Sequence, residues 1–188
     1  MSIPARPLRA DAARNRARVL ETAYEMFAAE GLAVPIDEIA RRAGVGAGTV
    51  YRHFPTKEDL FSAVVDSRIR RIIAEGRALL EGPRPGEALF AFLRSMVLDW
   101  GATDQGLVDA LAGLGIDVDS VAPDADAAFR GLIGELLEAA QHAGTVRPDV
   151  DAAEIKTLMV GCQAMQGYDK SRAERVTGVV IDGLRAPS

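Results

Sequence analysis

The stretch Pro35-Ile36-Asp37-Glu38-Ile39-Ala40-Arg41-Arg42-Ala43-Gly44-Val45-Gly46-Ala47-Gly48-Thr49-Val50-Tyr51-Arg52-His53-Phe54 decides the architecture. In helical register Ile36, Ile39, Ala40 and Ala43 form a narrow apolar face, and Asp37 and Glu38 lie where a helix's positive end favours acids. Pro35 is expected at the first helical position, where its missing N–H costs nothing. Gly44 ends that helix, since a glycine past the last turn can take the left-handed conformation that redirects the chain, and Val45 is expected to tuck in between two helices. In the second helix Val50 and Phe54, four apart, point inward, leaving Ala47, Gly48, Thr49, Tyr51, Arg52 and His53 on the outer faces.

That outer face suits a major groove. Ala47 and Gly48 let the backbone approach DNA, Thr49 and Tyr51 can donate to phosphates, and Arg52 can bond a guanine edge with two parallel hydrogen bonds. His53 reads two ways, as a phosphate or base contact or as a ring packed on a neighbouring helix. Lys57 can reach a phosphate together with the amides at the opening of the next helix, or it is an ordinary solvated charge.

Helical spacing continues on both sides. Val19, Leu20, Ala23, Tyr24 and Phe27 place one stripe on a first helix ending at Gly31. Thr56 with Asp59 three residues later forms a capping box for a long helix with Leu60, Phe61, Val64, Arg68 and Ile72 on one side, running to about Leu80 before Gly82-Pro83-Arg84-Pro85-Gly86. Leu89, Phe92, Leu93, Met96, Val97 and Trp100 form the next stripe, and Phe129, Leu132, Ile133, Leu136, Leu137 and Ala140 another. Between them the glycine-punctuated segment up to Pro123 is expected to hold a short helix and a loose loop. After the Gly144 stop, Asp151-x-x-Glu154 and Ser171-x-x-Glu174 read as capping boxes of two final helices. Nothing alternates with a period of two, so the fold class is all-α.

Residues from about Arg14 to Val65 resemble the N-terminal domain of TetR-family (tetracycline-repressor-type) transcriptional regulators, carried by Asp37-Glu-Ile-Ala-x-x-Ala-Gly-Val-x-x-Gly-Thr-Val-Tyr-x-His-Phe-x-x-Lys-Glu58. The resemblance implies a three-helix, helix-turn-helix DNA-binding domain, with Thr49, Tyr51, His53 and Lys57 on the DNA backbone and Gly48 and Arg52 in the groove. One departure is the missing Thr or Ser cap of the second helix, where this chain has Val34-Pro35; the lost cap costs about 1 kcal/mol. The implied organisation is a flexible basic arm over 1–12, the DNA-binding domain over 13–58, and a helical ligand-binding and dimerisation domain over 59–188.

The net charge of −5 speaks against nucleic acid until its distribution is read: residues 1–54 carry +2 and the remainder −7. Arg6, Arg9, Arg14, Arg16 and Arg18 face only Asp11 within residues 1–20, which reads as a phosphate-seeking arm or as a solvated terminus. One Cys gives no disulfide framework, no apolar run is long enough to span a membrane, and a reducing cytoplasm fits best.

Beyond residue 80 the physical reading carries the argument. Ile155, Leu158, Met159, Cys162 and Met165 make one stripe, and Val176, Val179, Val180 and Leu184 another. The resemblance implies that such a pair meets its twin in a homodimer, with Leu158, Cys162, Met165, Val176, Val180 and Leu184 at the interface; a wholly internal core competes with this. Phe92, Met96, Trp100, Phe129, Leu132 and Met159 are the candidates to line a pocket for an unidentified small-molecule effector. The expected partners are a palindromic double-stranded DNA operator, a second copy and that effector, with no membrane, cofactor or metal. By resemblance the default is a repressor released by its ligand. Alternatives are a regulator governed by a protein partner or by abundance, and a redox sensor built on Cys162. An enzyme finds little support, because His53 and His142 are the only histidines and no metal-ligand cluster accompanies them.

Overall fold

Val19, Leu20, Ala23, Tyr24 and Phe27 are all buried, as their spacing demands, on helix α1, Arg6–Glu30. The computed structural model describes residues 6–100 and 122–187, the side chains at 6–10, 99–100 and 166–167 aside. The helix already runs from Arg6, so residues 6–12, expected as an irregular arm, are helical. Pro7 is tolerated in a first turn, and Ala10, Ala12 and Ala13 are strong helix formers. Gly31, at φ +71°, leads into a single 3-10 turn, Gly31–Ala33.

Helix α2, Ile36–Arg42, buries Ile36, Ile39 and Ala40. Pro35 sits one position earlier than expected, as the cap rather than inside the helix: its ψ of 143° is extended, and its carbonyl accepts the amides of Glu38 and Ile39. On the outer side Glu38 accepts from Arg41 at 2.6 Å and pairs with Arg42 at 3.4 Å. The Arg41 hydrogen bonds hold the Glu38 carboxyl below the usual carboxylate range. The helix ends in a Schellman motif: Val45 N–H donates to the Ala40 carbonyl, Gly44 N–H to that of Arg41, and Gly44 adopts φ +65°.

Helix α3, Ala47–His53, follows after Gly46, with Val50 and Phe54 buried beneath it. Helix α4, Lys57–Leu80, opens with reciprocal bonds between Thr56 and Asp59, each side chain accepting the other's amide. Two contacts tie the first half of α4 to α1. The Phe27 and Phe61 rings meet edge-on at 5.7 Å, and the Arg68 guanidinium lies 4.4 Å from the centroid of the Tyr24 ring.

The described residues divide into two compact units, one holding α1 to the first half of α4 and the other holding the rest of α4 with the remaining helices. The division falls at Arg68, inside α4, the residue whose guanidinium lies over Tyr24 of α1.

In the second unit α5, Ala88–Ser95, continues as a wider π-helical turn, Met96–Trp100. It packs with α6, Pro123–His142, α7, Ala152–Tyr168, and α8, Lys170–Leu184, around Leu89, Phe92, Leu132, Ile133, Leu136, Ile155 and Ile181. Pro123 opens α6 as expected, and Gly144, at φ +66°, closes it with a second Schellman motif in which Thr145 N–H donates to the Ala140 carbonyl. The Asp151–Glu154 capping box is formed in full.

The last helix departs from expectation. It begins at Lys170, so Ser171 lies inside the first turn and its hydroxyl bonds Asp169 instead of capping. Its buried stripe is Ala173, Thr177, Ile181 and Leu184, while Val176 and Val180 are half-buried and Val179 is 64% exposed. Apolarity alone hid this stripe, because Thr177 enters the core by donating its hydroxyl to the Ala173 carbonyl at 2.7 Å. Among the described residues there is no strand, and Val146 and Arg185 make one isolated antiparallel bridge. The short helix and loop expected between Gly101 and Pro123 lie outside the described residues.

Candidate nucleic-acid interface

The burial of Val50 and Phe54 orients everything else on α3. Tyr51, Arg52 and His53 are exposed, Tyr51 at 45%, and Thr49 is half-buried. Gly48 is exposed, and a Cβ added there would meet nothing within 4 Å, so the helix surface at that point is bare backbone. Lys57 is half-buried at the opening of α4, three residues after the capping residue of α3. Arg52 and His53 form a basic last turn that complements the helix's negative end. The His53 ring is exposed and tilted beside Phe54, centroids 6.1 Å apart.

The six residues singled out for DNA contact therefore fall on α3 and the first turn of α4, none of them buried. One residue was missed. The Arg16 guanidinium lies over the Phe54 ring, 5.5 Å from its centroid, which brings α1 to the end of the reading helix. Its signal in the sequence is register, since Arg16 stands three residues before Val19 and seven before Ala23 on the stripe that packs inward.

In the second unit Phe92, Met96, Phe129, Leu132 and Met159 are buried in one cluster, with the Phe92 and Phe129 centroids 6.1 Å apart. The Trp100 side chain lies outside the described residues. On the last two helices Leu158 is 36% exposed and Met165, Val176 and Val180 are half-buried. Cys162 and Leu184, expected at a subunit interface, are instead buried in the chain's own core, at 4% and 3% exposure. Burial pushes the Cys162 thiol up, the opposite of what a reactive thiolate needs. No helix among the described residues is long and apolar enough to cross a membrane.

Residues 19–64 match the family profile described as bacterial regulatory proteins, tetR family, and residues 84–186 match the C-terminal domain of SbtR-like transcriptional regulators. The chain belongs to the TetR family. It is a transcriptional regulator of that family, whose members are non-enzymatic DNA-binding proteins. The TetR regulator of Mycobacterium vanbaalenii has a similar structure, 62% identical over 96% of this chain and 100% of that one, with a TM-score of 0.79. The TetR regulator SCO0520 of Streptomyces coelicolor is 32% identical, over 92% of this chain and 99% of that one, with a TM-score of 0.74. Among curated relatives, the HTH-type regulator SrpR of Pseudomonas putida is 43% identical over 65 residues, 34% of this chain and 30% of that protein. A Staphylococcus aureus HTH-type regulator, SAB2452, is 38% identical over 69 residues, 36% of this chain and 37% of that protein. The matched part thus spans about a third of these curated relatives' length.

Proposed function

We propose that this TetR-family chain is a homodimeric repressor that holds a palindromic double-stranded DNA operator with α3 and releases it when a small molecule binds in the second unit. The observation that carries the reading is the exposed row Gly48, Tyr51, Arg52 and His53 backed by buried Val50 and Phe54. Arg52 reads a guanine edge, Gly48 admits close backbone approach, and Thr49, Tyr51, His53 and Lys57 hold the DNA backbone. Two readers on one palindrome supply the specificity that one short helix lacks.

Leu158, Met165, Val176 and Val180, joined by exposed Val179, form the subunit face, with Cys162 and Leu184 lying beneath it. An effector among Phe92, Met96, Trp100, Phe129, Leu132 and Met159 acts only through different affinities for the DNA-bound and free states. Reading an operator gives the chain a cytoplasmic workplace. Control by a protein partner or by abundance is a second reading, favoured by one observation: a Cβ on Gly76 would come within 3.1 Å of Phe92 and still closer to Leu132, so α4 packs tightly against two of the pocket candidates.

Fluorescence-anisotropy titration of wild type and Arg52→Ala against promoter DNA flanking the protein's own gene tests the proposal. Tight, salt-sensitive binding by wild type and a loss of about 1 to 3 kcal/mol in Arg52→Ala are expected. Equal, weak binding of both proteins to any sequence would overturn it.

A further inference from the structure

Helix α1 carries two kinds of arginine. Arg14 pairs with the Asp11 carboxylate and Arg18 donates to the Asn15 side-chain oxygen at 2.7 Å, both on the side of the helix away from its buried stripe. Arg16 belongs to the other side. It continues toward the N-terminus the stripe that Val19, Ala23 and Phe27 bury, yet it is itself exposed. Its guanidinium is held over the ring of Phe54, the capping residue at the C-terminal end of α3. A cation from a different helix thus stands at the end of the reading helix, beside the exposed Arg52 and His53. Arg9, seven residues earlier, holds the same register on the α1 backbone, about 10 Å further along the axis. Asp11, the one acid among residues 1–20, is engaged with Arg14.

We propose that the N-terminal turns of α1, with Arg16 on the register that Arg9 shares, form a second DNA-contacting element that grips the phosphate backbone flanking the groove entered by α3. The inference rests on the DNA-reading role of α3 proposed above. In a helix-turn-helix reader the recognition helix fills the groove while the helices packed against it cross the backbone, so a cation carried on α1 meets the sugar-phosphate wall beside the groove. A guanidinium suits phosphate because its parallel donors match two oxygens. Such contacts add affinity and salt dependence without choosing bases.

The test uses full-length wild type, Arg9→Gln, Arg16→Gln and Arg52→Ala, titrated from about 50 to 200 mM salt. The probes are a duplex that wild type selects from a random-sequence library and a mixed-sequence duplex. Both α1 variants are expected to weaken the two duplexes by the same factor and to flatten the log–log salt slope by about 0.9 per reader. Arg52→Ala is expected to weaken the selected duplex more than the mixed one. Wild-type slopes in both α1 variants, with the Arg52→Ala effect present, would overturn this inference alone. A loss confined to Arg16→Gln, with a lowered melting temperature and an unchanged slope, would make Arg16 a packing residue and overturn it too. Failure of wild type to select any duplex would overturn the DNA-reading proposal itself.

Discussion

The Lys156 ammonium on α7 donates to the Asp126 carboxylate on α6 at 3.0 Å, and that carboxylate is almost out of reach of water, at 6% exposure. Its second oxygen pairs with the Arg130 guanidinium, one turn along α6. Burying a carboxylate is costly unless it is paired, and removing one partner strands the other's charge. Lys156→Met is therefore expected to destabilise by about 2 to 3 kcal/mol, below the 3 to 5 typical of a fully buried pair because Arg130 remains. Arg130→Ala, removing the more exposed partner, should cost less. Urea unfolding monitored by circular dichroism ranks the two, and the reverse order would contradict the assigned geometry.

Two glycines are required for different reasons. A Cβ on Gly44 would touch nothing within 4 Å, but φ +65° penalises any L side chain, so Gly44→Ala should cost about 1 to 2 kcal/mol and Gly44→Asn less. Gly76 has an ordinary helical backbone, yet an added Cβ would collide with Leu132, so Gly76→Ala should cost about 1 to 3 kcal/mol through overpacking. Pairing Gly76→Ala with Leu132→Val separates the causes: partial rescue marks a steric conflict, whereas purely additive losses would exclude one.

Leu158 and Val179 are 36% and 64% exposed on the last two helices, which also carry the half-buried Met165, Val176 and Val180. Charge placed there costs a monomer little and a dimer interface much. Leu158→Glu with Val179→Glu should leave the helical signal intact, convert the protein to monomer in sedimentation, and weaken operator binding at least tenfold. A double variant that stays dimeric would move the interface elsewhere.

The raised pKa of Cys162 has a definite sign. A thiol harder to ionise in the folded chain contributes stability that is whole below the unfolded thiol's pKa, about 8.5, and declines as pH rises through the folded value. Wild type should lose stability relative to Cys162→Ala above that pH and match its slope below it. A thiol reagent should label Cys162 slowly until urea is added, and peroxide should leave DNA affinity unchanged. Rapid native labelling would restore the redox reading.

Much of the first unit was legible because its determinants are local. Gly44 needs a left-handed φ, Thr56 and Asp59 reach each other within one turn, and Val50 and Phe54 are related by the helical period alone. Those relations depend on short-range geometry, so residue order suffices, and the outward row from Gly48 to His53 followed from it. The last helix shows where that stops. Its valines look like the core stripe, but Thr177 and Ala173 take the inside, where the Thr177 hydroxyl is satisfied by the carbonyl one turn back. The same limit hid the Arg16–Phe54 contact and the Asp126–Lys156 pair, which join residues 38 and 30 positions apart. Sequence by itself determined the helices around the reader, their stops at Gly31 and Gly44, and which face of α3 is free. Tertiary structure alone decided which apolar stripe is spent on the core and which cations meet across helices, because those outcomes depend on inter-helix packing that helical periodicity does not encode.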